Sequence, residues 1–275
     1  MKWLHFILSH SIFIAICAVA LCFQTAILLH IDLTPYLYAF IFFSTICSYN
    51  FYWLLSAYFF SARPLPVFFK QYYTNVIVFA VGSIGMLFSI QYIANLLAVI
   101  SLGMVFTLLY AIPLLPFKIF RIARKAGLLK TFLLAFTWSF VTVYIPYKQT
   151  PAGNFITLVM LFNNRFLFML MLCIIFDARD TRVDKIRGLQ SLTTMIKPAT
   201  VQYIMIAIFT AYIINGIILR AYYDAPVQII ALLVTGVITA VVYFFSLQKQ
   251  GYFFYYFLVD GLMLFSALAT YVASI

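Results

Sequence analysis

"FDARDTRVDKIRG", Phe176 to Gly188, places three carboxylates, Asp177, Asp180 and Asp184, in an otherwise apolar chain. The 275 residues contain six acidic side chains, all Asp, so half of them fall in this one stretch. Their i, i+3, i+7 spacing puts them on a single stripe if the stretch is helical. Like charges stacked in this way repel one another, and a divalent cation offsets that repulsion. Hard cations such as Mg²⁺ take carboxylate oxygens together with water and phosphate. The alternative is a solvated helix end neutralised by Arg179, Arg182, Lys185 and Arg187.

The surroundings of the stretch set the fold class. Hydrophobic residues make up 66% of the chain and charged residues 8%, and the mean hydropathy is +1.09. A soluble domain cannot bury that much apolar surface, so the sequence reads as an all-α integral membrane protein. A crossing helix needs about 20 apolar residues. Turn signals and charges divide the chain into nine spans: 11–29, 35–60, 73–90, 96–117, 128–147, 154–176, 201–219, 226–247 and 251–275. Together they are expected to form one transmembrane domain over residues 1–275. The first span reads as a membrane helix, with a signal peptide as the alternative. Thr34-Pro35 and Asp224-Ala225-Pro226 look like caps followed by a helix-opening proline.

The basic residues orient the bundle. With the N-terminus inside, the inner segments hold 14 of the 17 Lys and Arg and the outer loops hold Lys148 and Arg220, with Arg165 inside a span. This asymmetry predicts N-terminus in, C-terminus out, and the 177–188 stretch on the cytoplasmic side. The net charge of +11 then reflects topology, and nucleic acid is excluded as its explanation. Cys17, Cys22, Cys47 and Cys173 all lie in apolar spans without a metal-ligand spacing and read as small hydrophobes. His5, His10 and His30 cluster near the first span and read as interfacial or packing residues.

"DARDTRVDKIRG" resembles the second Asp-rich motif of the UbiA superfamily of intramembrane prenyltransferases, D-x-x-D-x-x-x-D followed by a basic residue and Gly. The nine-helix layout, with Asp motifs on the cytoplasmic side after the second and sixth helices, is similar to the architecture of that family. The family's first motif, N-x-x-x-D-x-x-x-D followed by Arg-Pro, maps onto "YNFYWLLSAYFFSARPLP": Asn50 and Arg63-Pro64 match, while Leu54 and Tyr58 stand at the Asp positions. The basic pair after the fourth helix maps onto Lys118 and Arg121 in "LYAIPLLPFKIFRIARK", spaced by three rather than adjacent.

The resemblance implies transfer of a polyprenyl group from its diphosphate to a lipid-soluble, often aromatic, acceptor. It implies Mg²⁺ held by Asp177, Asp180 and Asp184, and diphosphate held by Asn50, Arg63, Lys118 and Arg121. The expected partners are a prenyl diphosphate, its acceptor and membrane lipids, in a bacterial inner membrane. The other function class is a catalytically degenerate relative that binds an isoprenoid or lipid, which the substitutions at Leu54 and Tyr58 favour. A transporter lacks its usual paired, interrupted helices here. Asn163, Arg165 and Asp260 lie within spans, where ionisable groups face a cavity or one another. They read as cavity-lining residues or, for Arg165 and Asp260, as a structural ion pair.

Overall fold

A computed structural model describes residues 2–61, 64–111, 127–151, 155–187, 192–222 and 226–275. In order these form α1 (Lys2–Ser9), α2 (Ile12–Leu29), α3 (Pro35–Ser61), α4 (Leu65–Gln71), α5 (Tyr73–Ile90), α6 (Leu97–Ala111), α7 (Gly127–Ser139), α8 (Phe155–Arg187), α9 (Pro198–Ala221), α10 (Pro226–Ser246) and α11 (Asp260–Val272). Among the described residues there is no strand. Proline opens α3, α9 and α10, where its missing N–H is one that no helix would satisfy. At Thr34 the backbone carbonyl takes the first-turn N–H of Leu37, while its hydroxyl accepts from Gln149 Nε2 at 2.6 Å, tying the start of α3 to the segment that follows α7. Asp224 lies outside the described residues.

Eight helical stretches among the described residues are long and apolar enough to cross a membrane. The eight differ from the nine expected spans at one place, 73–110, which runs on through a 3₁₀ segment broken at Ile93 (φ −125°, ψ 33°). Tyr92 stacks on Tyr36 at the start of α3, and Tyr110 stacks on Tyr52 some four turns further along α3. Gly85 lies against Phe43, and Phe79 against Phe51. So α5 runs against α3 and α6 runs with it, and the two halves of 73–110 have opposite directions, as the nine-span reading requires. Gly82 permits close backbone approach of α5 to α3, since a Cβ there would meet Ile46, the Cys47 backbone and the Phe43 carbonyl at 3.0–3.3 Å.

α8 forms the axis of the bundle, with α7 on one side and α9 and α10 on the other, while α2 packs between α3 and α11. The core combines Leu21, Leu37, Ile41, Ile100, Met171, Ile174, Tyr212 and Val259, all nearly fully buried. The outward faces are also apolar: Ile84, Leu108, Ile217, Phe244 and Leu268 are all more than half exposed. An uncovered apolar surface of this extent needs hydrocarbon around it.

Two local devices bear on the interior. α7 widens into a π-helical turn, Phe140–Tyr144, and continues as Ile145–Gln149. Pro146 has no N–H to return to the Thr142 carbonyl, and Thr25 Oγ1 donates to that carbonyl at 2.7 Å instead. Between α1 and α2 the chain turns through Ser11 with φ 64°, a left-handed conformation uncommon for a residue other than glycine. Asn50 holds this bend by donating to the His10 carbonyl at 3.1 Å.

Candidate functional site

α8 runs eleven residues beyond the span expected to end at Phe176, carrying all three carboxylates of the opening stretch on one continuous helix. Asp177 is half-buried and turned toward α7, where Thr131 Oγ1 donates to its Oδ2 at 2.5 Å. Its backbone carbonyl accepts from Thr181 at 2.9 Å and from Thr193 at 2.7 Å. The hydroxyls of Thr181 and Thr193 lie 2.7 Å apart. The short turn Leu192–Met195 thus folds back against α8 and holds its C-terminal part in place. Thr131 and Thr193 were not among the residues singled out from sequence, although the Thr-Thr pair just past the motif was the visible signal for the second.

Asp180 is bound by its neighbour. Arg179 Nε and Nη2 donate to its two oxygens at 2.7 and 2.8 Å, a bidentate arrangement. The Arg179 guanidinium also lies over the rings of Phe176, Tyr255 and Tyr256, with centroid distances of 4.9, 5.3 and 4.7 Å. The expectation that bases neutralise this stretch is therefore met at Asp180 by Arg179, which aromatic stacking fixes in place. The side chain of Asp184 lies outside the described residues.

α3 carries the wall that the resemblance sets opposite this stripe. Asn50 is buried, and its amide nitrogen donates to the carbonyls of His10 and Ile46. Leu54 is half-buried, and Tyr58 packs edge-on against Phe68 at 5.5 Å. Where the resemblance places a second acidic pair, this wall is apolar and aromatic. Beside it, Tyr49 meets Trp138 edge-on at 6.4 Å, and Lys130 sits 5.6 Å over the Tyr110 ring. Lys130 neighbours Thr131 on α7, and it and Asp177 both act electrostatically on Cys173, so it puts a cation close to the acid stripe. Arg63, Lys118 and Arg121 lie outside the described residues.

The mid-bundle polar residues divide into two groups. Arg165, 3% exposed, donates to Gln24 Oε1 at 2.6 Å, to the Leu21 carbonyl at 3.2 Å and to Thr142 Oγ1 at 3.3 Å. Gln24 passes the network on to Ser266 and Thr270 of α11. Arg165 thus joins α8 to α2 and α7 through neutral acceptors, and it makes no pair with Asp260. Asn163 donates to Asn215 Oδ1 at 3.1 Å and links α8 to α9. Asp260 is different: it is 4% exposed at the head of α11, where the Cys17 thiol donates to its backbone carbonyl, and its electrostatic neighbour is Arg179.

The donor set fits Mg²⁺ in kind, since carboxylate oxygens are the ligands such a hard cation prefers. Among the described side chains no cluster of three His, Cys, Asp or Glu ligands forms. Asp177, anchored by Thr131 and half-buried on the inner stripe, is the member best placed to begin one. Asp180 takes part only by sharing its oxygens with, or releasing them from, Arg179.

No family model matches this sequence, and no curated protein matches it. The fold does have a counterpart among solved structures. The apo structure of a UbiA homolog from Aeropyrum pernix K1 superposes with a TM-score of 0.65 over 94% of this chain and 96% of that one, at 13% identity. The chain therefore has the fold of a UbiA homolog and is an integral membrane protein.

Proposed function

We propose that the protein is a membrane prenyltransferase, moving a polyprenyl group from its diphosphate to a lipid-soluble acceptor. The observation that carries this reading is the carboxylate stripe of α8, with Asp177 fixed by Thr131 inside a UbiA-type bundle. When bound there, Mg²⁺ supplies neutralisation of the diphosphate's growing negative charge. Asp177, Asp180 and Asp184 hold the cation, and Arg63, Lys118 and Arg121 contact the diphosphate; Asn50, whose two amide N–H groups go to the His10 and Ile46 carbonyls, holds the bend ahead of α2 instead. Lys130 adds a further positive charge beside Asp177. In the reaction the bond between the allylic carbon and the diphosphate oxygen breaks, the acceptor's nucleophilic atom bonds to that carbon, and the acceptor loses a proton.

Leu54 and Tyr58 bear on how this is done. Without carboxylates on α3, fixed cations must stabilise charge that a second metal would otherwise carry. Ammonium and guanidinium groups donate hydrogen bonds but do not gather oxygens around themselves. The basic excess of the inner segments supports a site opening on the cytoplasmic side of a bacterial inner membrane. A binding protein without turnover is the second reading, favoured by those two residues and by Arg179 occupying both oxygens of Asp180.

The test uses membranes containing the protein, supplied with isotopically labelled farnesyl or geranylgeranyl diphosphate and Mg²⁺. A labelled lipid product that is absent from membranes lacking the protein is expected. Retention of unreacted label, with no product from any prenyl length, selects the binding reading.

A further inference from the structure

Arg179 holds Asp180 more firmly than a neighbouring counter-charge ordinarily does. Its fork reaches both carboxylate oxygens, Nε at 2.7 Å and Nη2 at 2.8 Å. The guanidinium carbon lies 4.9, 5.3 and 4.7 Å from the ring centres of Phe176, Tyr255 and Tyr256, within the range where a ring face attracts a cation. Tyr255 and Tyr256 belong to a π-helical turn, Phe254–Val259, a widening that recurs at functional sites. The cage is braced from behind: Tyr256 stacks on Tyr252 at 4.4 Å, and Tyr252 stacks on His5 of α1 at 5.3 Å. Nη1, the third nitrogen, is buried and has no hydrogen-bond partner among the described residues. The Asp180 side chain is 41% exposed against 23% for Arg179, so the carboxylate is the member that an incoming ion reaches. Exposure on this scale also screens the pair, which lets such an ion compete with it.

A hard divalent cation seeks the same oxygens. It takes Asp180 by drawing it off the fork or by sharing it, and either way it settles beside a guanidinium that the rings keep in place. A guanidinium has only donors, so a fork that loses its carboxylate is left with N–H groups and nothing to donate to. A cation cannot supply the missing acceptor. An anion arriving with it can, and phosphate oxygens match the fork as carboxylate oxygens do. We propose that Arg179 is the specificity-determining residue of the acid stripe: it clamps Asp180 against a lone divalent cation and yields it when a phosphate group takes the carboxylate's place on the fork. Cation and diphosphate then bind as a coupled pair. That Mg²⁺ and a diphosphate meet at this stripe rests on the function proposed above.

The experiment measures binding to the purified protein in detergent by calorimetry, with Mg²⁺ alone and with S-farnesyl thiodiphosphate, a slowly reacting analogue, in Mg²⁺ or in EDTA. The wild type is expected to bind the analogue at least about tenfold more tightly in saturating Mg²⁺ than in EDTA. Arg179→Met and Arg179→Lys both lack the fork. Each is expected to bind Mg²⁺ alone about three- to tenfold more tightly than the wild type, and to show a smaller Mg²⁺-dependent gain for the analogue. Complexation of Mg²⁺ by the analogue in solution is common to all three proteins, so the difference between them reports Arg179. In an Asp180→Asn background Arg179→Met is expected to bring no gain in Mg²⁺ affinity, whereas loss of a nearby positive charge would by itself still bring one. Unchanged or weaker Mg²⁺ binding by either variant, or a gain that survives Asp180→Asn, overturns the clamp. Labelled prenyl product from the wild type, alongside unchanged Mg²⁺ affinity in Arg179→Met, removes the clamp and leaves the transferase reading standing. Tighter Mg²⁺ binding by Arg179→Met, in a protein that forms no product, does the reverse.

Discussion

Asp177→Asn is expected to lower the turnover of a prenyl diphosphate by at least about a hundredfold, the scale on which single electrostatic groups act in preorganised sites. The substitution changes charge and little else. Asparagine keeps the shape of the side chain, and its carbonyl oxygen still accepts from Thr131, which holds Asp177 at 2.5 Å. The Thr181 and Thr193 bonds run to the backbone carbonyl and are untouched. The melting temperature should therefore stay close to wild type while Mg²⁺-dependent activity falls. Full activity in the variant would remove Asp177 from the metal site. A loss of folding would show that the carboxylate serves structure and leaves the chemistry elsewhere.

Gln24→Leu is expected to destabilise the bundle by about 2–4 kcal/mol, the range for removing one partner from a buried charged group. Gln24 is wholly buried and supplies the 2.6 Å acceptor for the Arg165 guanidinium. Without it the guanidinium keeps only the Leu21 carbonyl and Thr142 Oγ1, at 3.2 and 3.3 Å. Ser266 and Thr270 lose their partner too, but both are neutral, and Thr270 already donates to the Ser266 carbonyl. Arg165→Met removes the charge that requires those acceptors. The Gln24→Leu, Arg165→Met double variant should therefore be more stable than Gln24→Leu alone, as measured by unfolding in mixed micelles. Simple additivity of the two effects would contradict the pairing.

The fate of Arg165 shows what sequence conveys and what it leaves out. Turn signals and charges between apolar runs located α5 at residues 73–90 and placed a break between 90 and 96. The same criterion stopped the sixth span at Phe176, whereas α8 continues to Arg187. Hydropathy measures compatibility with lipid, and a helix can leave the membrane and continue as a helix. The acid stripe was legible because its spacing is periodic. The partner of Arg165 was not: Asp260 was the carboxylate that the sequence placed within a span, but which neutral amides and carbonyls face a helix depends on packing between helices. Pro146 announces in the sequence that the Thr142 carbonyl loses its helical donor, but not that Thr25 of another helix takes its place. Arg179 is the same kind of case. Sequence marked it as a counter-charge in the motif. Its stacking on Tyr255 and Tyr256 arises where α8 meets the start of the last helix.

The most direct measurement of the central claim is the release of inorganic diphosphate by purified wild-type protein from farnesyl and geranylgeranyl diphosphate, with a lipid extract as the acceptor source, in Mg²⁺ and in EDTA. Release in Mg²⁺ that EDTA abolishes and Asp177→Asn suppresses is the predicted result. Absence of release from either substrate in Mg²⁺, by protein that remains folded, would contradict it.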